Sequence, residues 1–333
     1  MALIPDLLAS SGDTPFTIHN IPFGVISSNS QTTPRCATAI GEYAIDLVAF
    51  AAEGRLGHVL GPAAETIFSQ PCLNTFAALG RATRRAVRDV LIQSIRANDV
   101  PSQCLIPLAN ITMHLPFQIG GFSDFYCSLE HVQNCSPMAA GVAIPDNWFY
   151  APSVYNSRVS SVVPSPQPIR RPRGVYYDGD GNPTYGPSRE VDYELEMGVF
   201  VSKPVKHGEE LAIEHVEEHI FGFVLLNDWS SRDLQIFEMK PLGPFHSKGS
   251  SCPRLLLQKQ IIDLANRLPG FGTSISPWVI TLEALEPFRC PPKTTQSPAP
   301  FDHLKWPGSN GTFDVHLEVD LIRKLRSTSL QRH

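Results

Sequence analysis

Short strand-like patterns come first along the chain. Hydrophobic and polar positions alternate over residues 16–48, and the run over 37–47 predicts a hairpin that turns at Gly41-Glu42. Together with a helix further on, these strands predict a small mixed domain over residues 1–115.

Residues 74–97 follow the helical period instead. One predicted apolar stripe contains Ala82, Ala86, Val90 and Leu91. Another face of the same helix carries Arg81, Arg84, Arg85 and Arg88. Such a basic face can bind nucleic acid, but a solvated helix face is the more common explanation, and no nucleic-acid partner is expected.

The pattern changes after residue 115. Long loops rich in Pro, Gly and Ser, such as 164–190, separate short apolar runs. This spacing is typical of a β-sandwich or barrel, so residues 116–333 are predicted to be mainly β.

Composition narrows the classes of protein. Hydrophobic residues make up 42% of the 333 residues, which indicates a real core and excludes general disorder. The net charge of −5 argues against a binder of polyanions, and no GxGxxG or P-loop motif indicates a nucleotide.

The cysteines and the start of the chain indicate a cytoplasmic protein. The seven cysteines form no CxxC pair, which favours reduced thiols over a disulfide framework. The N-terminal apolar run is too short and lacks the basic residues of a signal peptide, and no stretch is long enough to span a membrane.

Two acidic segments provide candidate chemistry. Glu194 and Glu196 lie in a run with strand periodicity, so both point to one face, roughly 6.5 Å apart along the strand. Such a pair needs a cation for neutralisation or is simply a solvated face. Asp228 follows an apolar strand over 221–226 that could be buried on both faces, and it is either a ligand or a turn residue.

Two further groups of candidate residues have helical spacing. Ser230 or Ser231 could cap a short helix in which Arg232 and Gln235 share a face. If 124–131 is helical, Asp124 and His131 also share a face, and the imidazole could act as a general base or be an ordinary histidine. The four carboxylates would suit Mg²⁺ or Ca²⁺ rather than zinc.

The ordered motifs resemble the fumarylacetoacetase family. The matching blocks lie at residues 20–25, 110–116, 124–126 with His131, 169–172, 192–197, 219–222, 227–233 and 241–245. The resemblance implies an SH3-like N-terminal β domain, a β-roll catalytic domain, a cytosolic homodimer, and cleavage of 4-fumarylacetoacetate into fumarate and acetoacetate.

The resemblance also implies roles for individual residues. The metal ligands would be Asp124, Glu194, Glu196 and Asp228, with Lys248 and Thr273 near the ion. His131 would activate water, and Arg232, Gln235 and Lys248 would stabilise developing negative charge. Tyr126, Tyr155 and Gln235 would contact the substrate.

Departures from the family pattern leave alternatives open. Ala140 and Met239 stand where the family usually has substrate-contacting arginine and tyrosine, and 249–270 reads as an insertion, either a surface loop or a translated intron. The chain also ends before the family's last strands, so a truncated catalytic domain with weak activity is expected. Another diketone hydrolase, or an inactive metal-binding remnant, remains an alternative.

Overall fold

The computed structural model of the chain describes residues 7–8, 14–135, 144–151, 153–239, 243, 247 and 271–322. Lys248, Ala140, the predicted insertion over 249–270 and residues 323–333 lie outside the described residues. Among the described helices, none has the length and apolar character needed to cross a membrane.

An antiparallel five-stranded sheet organises the N-terminal part. Its strands are β1 (Phe23–Ser28), β2 (Gln31–Ile40), β3 (Tyr43–Asp46), β4 (Leu105–Pro107) and β5 (Ile111–Met113), in the order β4-β3-β2-β1-β5. The predicted hairpin is confirmed, since Ile40 pairs with Tyr43. Gly41 has φ +54°, a left-handed conformation that glycine adopts without steric cost.

Helices fill the connection between β3 and β4. They are α1 (Leu47–Ala52), α2 (Gly57–Leu60), α3 (Ala64–Phe68), α4 (Asn74–Ala77) and α5 (Arg81–Arg96), with short 3₁₀ helices at Gly61–Ala63 and Ser102–Cys104. A further 3₁₀ helix at Leu108–Asn110 connects β4 to β5. The helix predicted over 74–97 is therefore two helices.

The predicted faces of α5 need correction. Its buried face carries Val87, Leu91 and Ile95, whereas Ala82 is exposed. Arg84 is buried as well, because its guanidinium donates to Ser202 Oγ at 2.8 Å and to the Ile220 carbonyl at 3.2 Å. The basic face thus makes contacts within the chain.

Short strands dominate the rest of the chain. They are β6 (Phe122–Phe125), β7 (Val154–Ser157), β8 (Val162–Pro164), β9 (Arg173–Tyr177), β10 (Pro183–Pro187), β11 (Val191–Asp192), β12 (Leu195–Val201), β13 (Ile220–Asp228), β14 (Ser230–Ser231), β15 (Thr273–Ile275), β16 (Ile280–Thr281), β17 (Arg289–Cys290) and β18 (Thr312–Phe313). The main sheet has the order β12-β13-β15-β8, and β16 also pairs with β13. The prediction of a mainly β fold is confirmed.

A few helices interrupt these strands. They are α6 (Leu129–Cys135), α7 (Asp146–Tyr150), α8 (Arg232–Glu238) and α9 (Leu282–Leu285), with 3₁₀ helices at Val159–Ser161, Ile213–His219, Glu286–Phe288 and Asp302–Leu304.

Three local predictions were wrong. The loop over 164–190 contains the β9–β10 hairpin, and 221–226 is not buried on both faces, since Leu225 is 51% exposed. Asp124 lies on a strand and His131 on the following helix, so no helix connects them.

One hydrophobic core extends through both parts. Phe221 on β13 lies against Phe23 and Phe76 of the N-terminal part, with ring centroids 6.3 and 5.8 Å apart. Phe117 packs on Phe221 at 5.2 Å and on Phe200 of β12 at 4.4 Å. This packing fixes the position of β12 and β13, which carry the candidate site.

Candidate active site and metal centre

Two neighbouring strands bring three carboxylates together. Glu194, Glu196 and Asp228 each offer an oxygen, and these atoms lie within 4.8 Å of one another. The antiparallel pairing of β12 with β13 places Leu195 opposite Asn227, so the acids at the start of β12 meet the acid at the end of β13. Glu194 and Asp228 are buried, and Glu196 is half-buried. The predicted common face of the two glutamates is therefore confirmed.

Glu194 and Glu196 line a cavity of about 1250 Å³ together with the imidazole of His131. His131 Nε2 lies 3.3 Å from Glu194 Oε1. Its ring also contacts the Cys135 thiol, and together these hydrogen bonds raise the pKa of His131 to about 10. A protonated His131 at this distance partly neutralises the Glu194 carboxylate.

Arg232 supplies a second positive charge to the acids. It begins helix α8, and its Nη1 donates to Glu194 Oε1 at 2.8 Å and to Gln235 Oε1 at 3.1 Å. The predicted shared face of Arg232 and Gln235 is confirmed. Ser231 precedes the helix as its N-cap residue but makes no side-chain capping hydrogen bond.

Asp192 also binds Arg232, at 2.8 Å from Nη2, and sequence reasoning did not identify it. It lies on β11, which pairs with β14 directly before α8. The signal was present, because Asp192, Glu194 and Glu196 alternate with other residues and therefore share a face.

Asp124 lies in the same cavity wall but outside the group of three carboxylates. It is buried on β6, where it pairs across the strands with Tyr155. The Tyr155 hydroxyl donates to Asp124 Oδ2 at 2.5 Å. The structure thus joins two predicted site residues to each other.

Thr273 and Tyr126 extend the site on either side. Thr273 is fully buried opposite Asp228, and its hydroxyl lies 3.5 Å from Asp228 Oδ1. Tyr126 packs edge-on against His131 with ring centroids 5.2 Å apart. Met239, at the end of α8, is 48% exposed.

Two cysteines on the cavity wall were not among the predicted site residues. Cys135 lies one helical turn after His131, with its sulfur 3.8 Å from Nε2. The hydrogen bond with His131 lowers the pKa of this thiol. Cys127 lies in the connection from β6 to α6.

Comparison with known proteins agrees with this architecture. Residues 19–116 match the family described as fumarylacetoacetase N-terminal, and residues 121–254 match the family described as fumarylacetoacetate hydrolase C-terminal. The fumarylacetoacetase of Aspergillus fumigatus is 40% identical over 93% of this chain and 71% of its own length. That of Homo sapiens is 38% identical over 93% of this chain and 70% of its own length. A solved 5-carboxymethyl-2-hydroxymuconate delta-isomerase from Mycobacterium smegmatis is 14% identical, with a TM-score of 0.39 over 79% of this chain and 67% of its own.

The match to the hydrolase C-terminal family, together with the carboxylate-rich cavity, indicates a hydrolytic enzyme. The two matched family regions and the sequence identities of 38–40% to fumarylacetoacetases narrow this class to one family. The chain belongs to the fumarylacetoacetase family, and the resemblance seen in the sequence is confirmed.

The donor set fits the divalent metal on which this family depends. Three carboxylates on β12, directly before it and at the end of β13 converge in a largely buried position, and hard cations prefer oxygen ligands of this kind. Like charges so close are stable only with compensating positive charge, which Arg232 and His131 supply in part. The residues present can therefore hold such an ion.

Proposed function

We propose that this chain hydrolyses 4-fumarylacetoacetate to fumarate and acetoacetate, the last step of tyrosine and phenylalanine breakdown. The observation that carries the proposal is the convergence of Glu194, Glu196 and Asp228 beside His131, with both glutamates and His131 on the wall of one open cavity. The family membership of the chain supports the same reaction and the same small-molecule substrate.

In this proposal the acids hold Mg²⁺ or Ca²⁺, and Asp124, Thr273 and Lys248 complete the surroundings of the ion. A bound divalent cation would polarise the diketone oxygens of the substrate and offset negative charge as the carbon–carbon bond breaks. Carboxylate ligation is consistent with either ion, because both prefer oxygen donors.

His131 is the proposed general base. Hydrogen bonds with Cys135 and Glu194 raise the pKa of His131, and only the neutral imidazole can accept a proton. Neutralising the charge of Glu194 would weaken one cause of the raised pKa and so favour the neutral imidazole, which takes a proton from water.

The remaining residues bind and orient the substrate. Arg232, held by Glu194 and Gln235, offers a buried positive charge for the developing carbanion, together with Gln235 and Lys248. Tyr155 and Tyr126 would contact the substrate. We further propose an SH3-like domain over residues 1–115, a catalytic domain over 116–333, and a cytoplasmic homodimer, as the family resemblance implies.

The purified chain tests this proposal through loss of the diketone absorbance in the presence of Mg²⁺ or Ca²⁺. We expect His131→Gln to lower kcat by at least about 100-fold, since a positioned general base contributes on that scale. His58→Gln changes an exposed histidine in the N-terminal part and should leave kcat unchanged. Equal activity of the two variants would show that His131 is not the base.

A further inference from the structure

Cys135 and His131 form a thiol–imidazole pair on the wall of the cavity. The two residues are one turn apart on α6, and the sulfur lies 3.8 Å from Nε2 and 4.0 Å from Nδ1. The Tyr126 hydroxyl is a further hydrogen-bonding neighbour of this sulfur. Cys135 is half-buried and lines the cavity, so a small molecule can reach it.

This arrangement is that of an activated nucleophile. A thiol reacts as the thiolate, and an imidazole within reach of the sulfur provides a place for the proton. The hydrogen bonds from His131 and Tyr126 also lower the pKa of the Cys135 thiol, which agrees with the geometry.

Cys127 provides a natural comparison in the same cavity. It is exposed and lies near the carboxylates of Glu196 and Asp124 rather than an imidazole. Negative charge beside the sulfur disfavours a thiolate, so Cys127 should be the less reactive of the two.

We propose that Cys135 is a covalent modification site for electrophilic alkenes that are conjugated to carbonyl groups. The fumaryl half of 4-fumarylacetoacetate belongs to this chemical class, so the link to the substrate rests on the proposed function. The reactivity of the thiol towards other conjugated alkenes does not depend on the proposed function.

The reaction is an addition without a leaving group or an oxidant. With the proton of the pair on the His131 imidazole, the Cys135 thiolate uses a sulfur lone pair to form a bond to one alkene carbon. The alkene π electrons move to the neighbouring carbon as an enolate, which then takes the proton from the imidazole. The product is a thioether beside His131, and its mass equals that of the chain plus the whole reagent.

N-Ethylmaleimide tests the site, because it is an alkene between two carbonyl groups. The full chain is labelled for short times at pH 7, quenched and digested, and each cysteine peptide is followed by mass spectrometry. We expect Cys135 to be labelled at least about tenfold faster than Cys127. His131→Gln should slow labelling of Cys135 about tenfold and leave the rate at Cys127 unchanged, which also shows that the fold is intact.

Two results would overturn the proposal. Labelling of Cys135 no faster than that of Cys127 would show that the thiol is not activated. An unchanged rate at Cys135 in His131→Gln would show that the imidazole plays no part.

Incubation with 4-fumarylacetoacetate separates this inference from the proposed function. The expected adduct carries the whole substrate mass on Cys135, is absent in Cys135→Ser, and forms whether or not the chain hydrolyses the substrate. Selective maleimide labelling without hydrolysis would refute the proposed function and leave the reactive thiol standing. Hydrolysis without selective labelling would refute the reactive thiol and leave the proposed function standing.

Discussion

At the scale of the residue, Asp228 gives the sharpest test of the metal site. It is 1% exposed and meets Glu194 and Glu196 through oxygens within 4.8 Å. We expect Asp228→Asn to weaken Mg²⁺ or Ca²⁺ binding by at least about 100-fold, because outer-shell changes alone cost 10–100-fold. Titration calorimetry measures this loss. Asp180→Asn removes the same charge from an exposed loop and should leave the affinity unchanged.

A purely structural role for Asp228 predicts something different. If Asp228 only supported the sheet, the variant would lower the melting temperature without a cation. We expect no such loss, because removing one of three clustered carboxylates relieves repulsion. Persistence of the melting-temperature rise on adding Ca²⁺ would contradict the metal assignment.

Single residues also show where sequence reasoning succeeded. Strand periodicity alone placed Glu194 and Glu196 on one face, and helical spacing paired Arg232 with Gln235. The contact of His131 with Glu194 joins separate elements, and the family resemblance indicated only that both residues belong to one site. Cys135 was not predicted from the sequence, because the reactivity of a thiol depends on its neighbours in space, which the sequence does not show.

At the scale of the element, Asp233 anchors helix α8, which carries Arg232 and Gln235. Its carboxylate accepts hydrogen bonds from Ser188 Oγ at 2.7 Å and from the Arg189 backbone N–H at 2.7 Å. Burial alone would raise the pKa of Asp233, but these hydrogen bonds outweigh it and lower the pKa below its usual value.

The sign of the resulting pH dependence follows from that shift. A carboxyl with a lowered folded-state pKa stabilises the fold above its unfolded pKa of about 4, and this contribution is lost as the pH falls through the folded value. We expect Asp233→Asn to lose roughly 1–3 kcal/mol of unfolding free energy at pH 7 and to flatten the acid limb of the stability curve. Urea unfolding between pH 2 and 7, about the range of the transition, measures both.

Asp146→Asn serves as the matched control for this element. Asp146 is an exposed acid in the first turn of α7, so its loss should change stability far less. An acid limb as steep in Asp233→Asn as in the unchanged chain would mean that the anchor contributes nothing.

A strand was predictable from the sequence where hydrophobic alternation coincides with a neighbouring strand that can pair with it. The β2–β3 hairpin needed only alternation and a glycine turn. Residues 312–319 also alternate, yet only Thr312–Phe313 form a strand, against β17. Alternation predicts which side chains would share a face, but a strand forms only where the edge of a neighbouring strand supplies backbone hydrogen bonds.

At the scale of the whole molecule, the two predicted domains share a core and an ion-pair cluster. Arg81 of α5 bonds Glu217, Glu283 and Glu286 at distances from 2.9 to 3.3 Å. The sequence indicated a change of pattern near residue 115. It could not indicate the shared core and ion-pair cluster, here called the joint between the two parts, because the contacts of Arg81 join residues more than 130 positions apart.

Phe221 tests whether this joint makes the molecule one cooperative unit. Its ring is 2% exposed and touches Phe76, Phe23 and Phe117, so Phe221→Ala should cost about 3–5 kcal/mol. Because the same ring supports both sheets, we expect hydrogen exchange to speed up in β1 and β2 as well as in β12 and β13. Phe288→Ala removes a ring that is 53% exposed and should leave both sheets unchanged. Faster exchange in β12 and β13 alone would show that the N-terminal sheet is stable by itself, and that the shared core positions the active site without holding the two parts together.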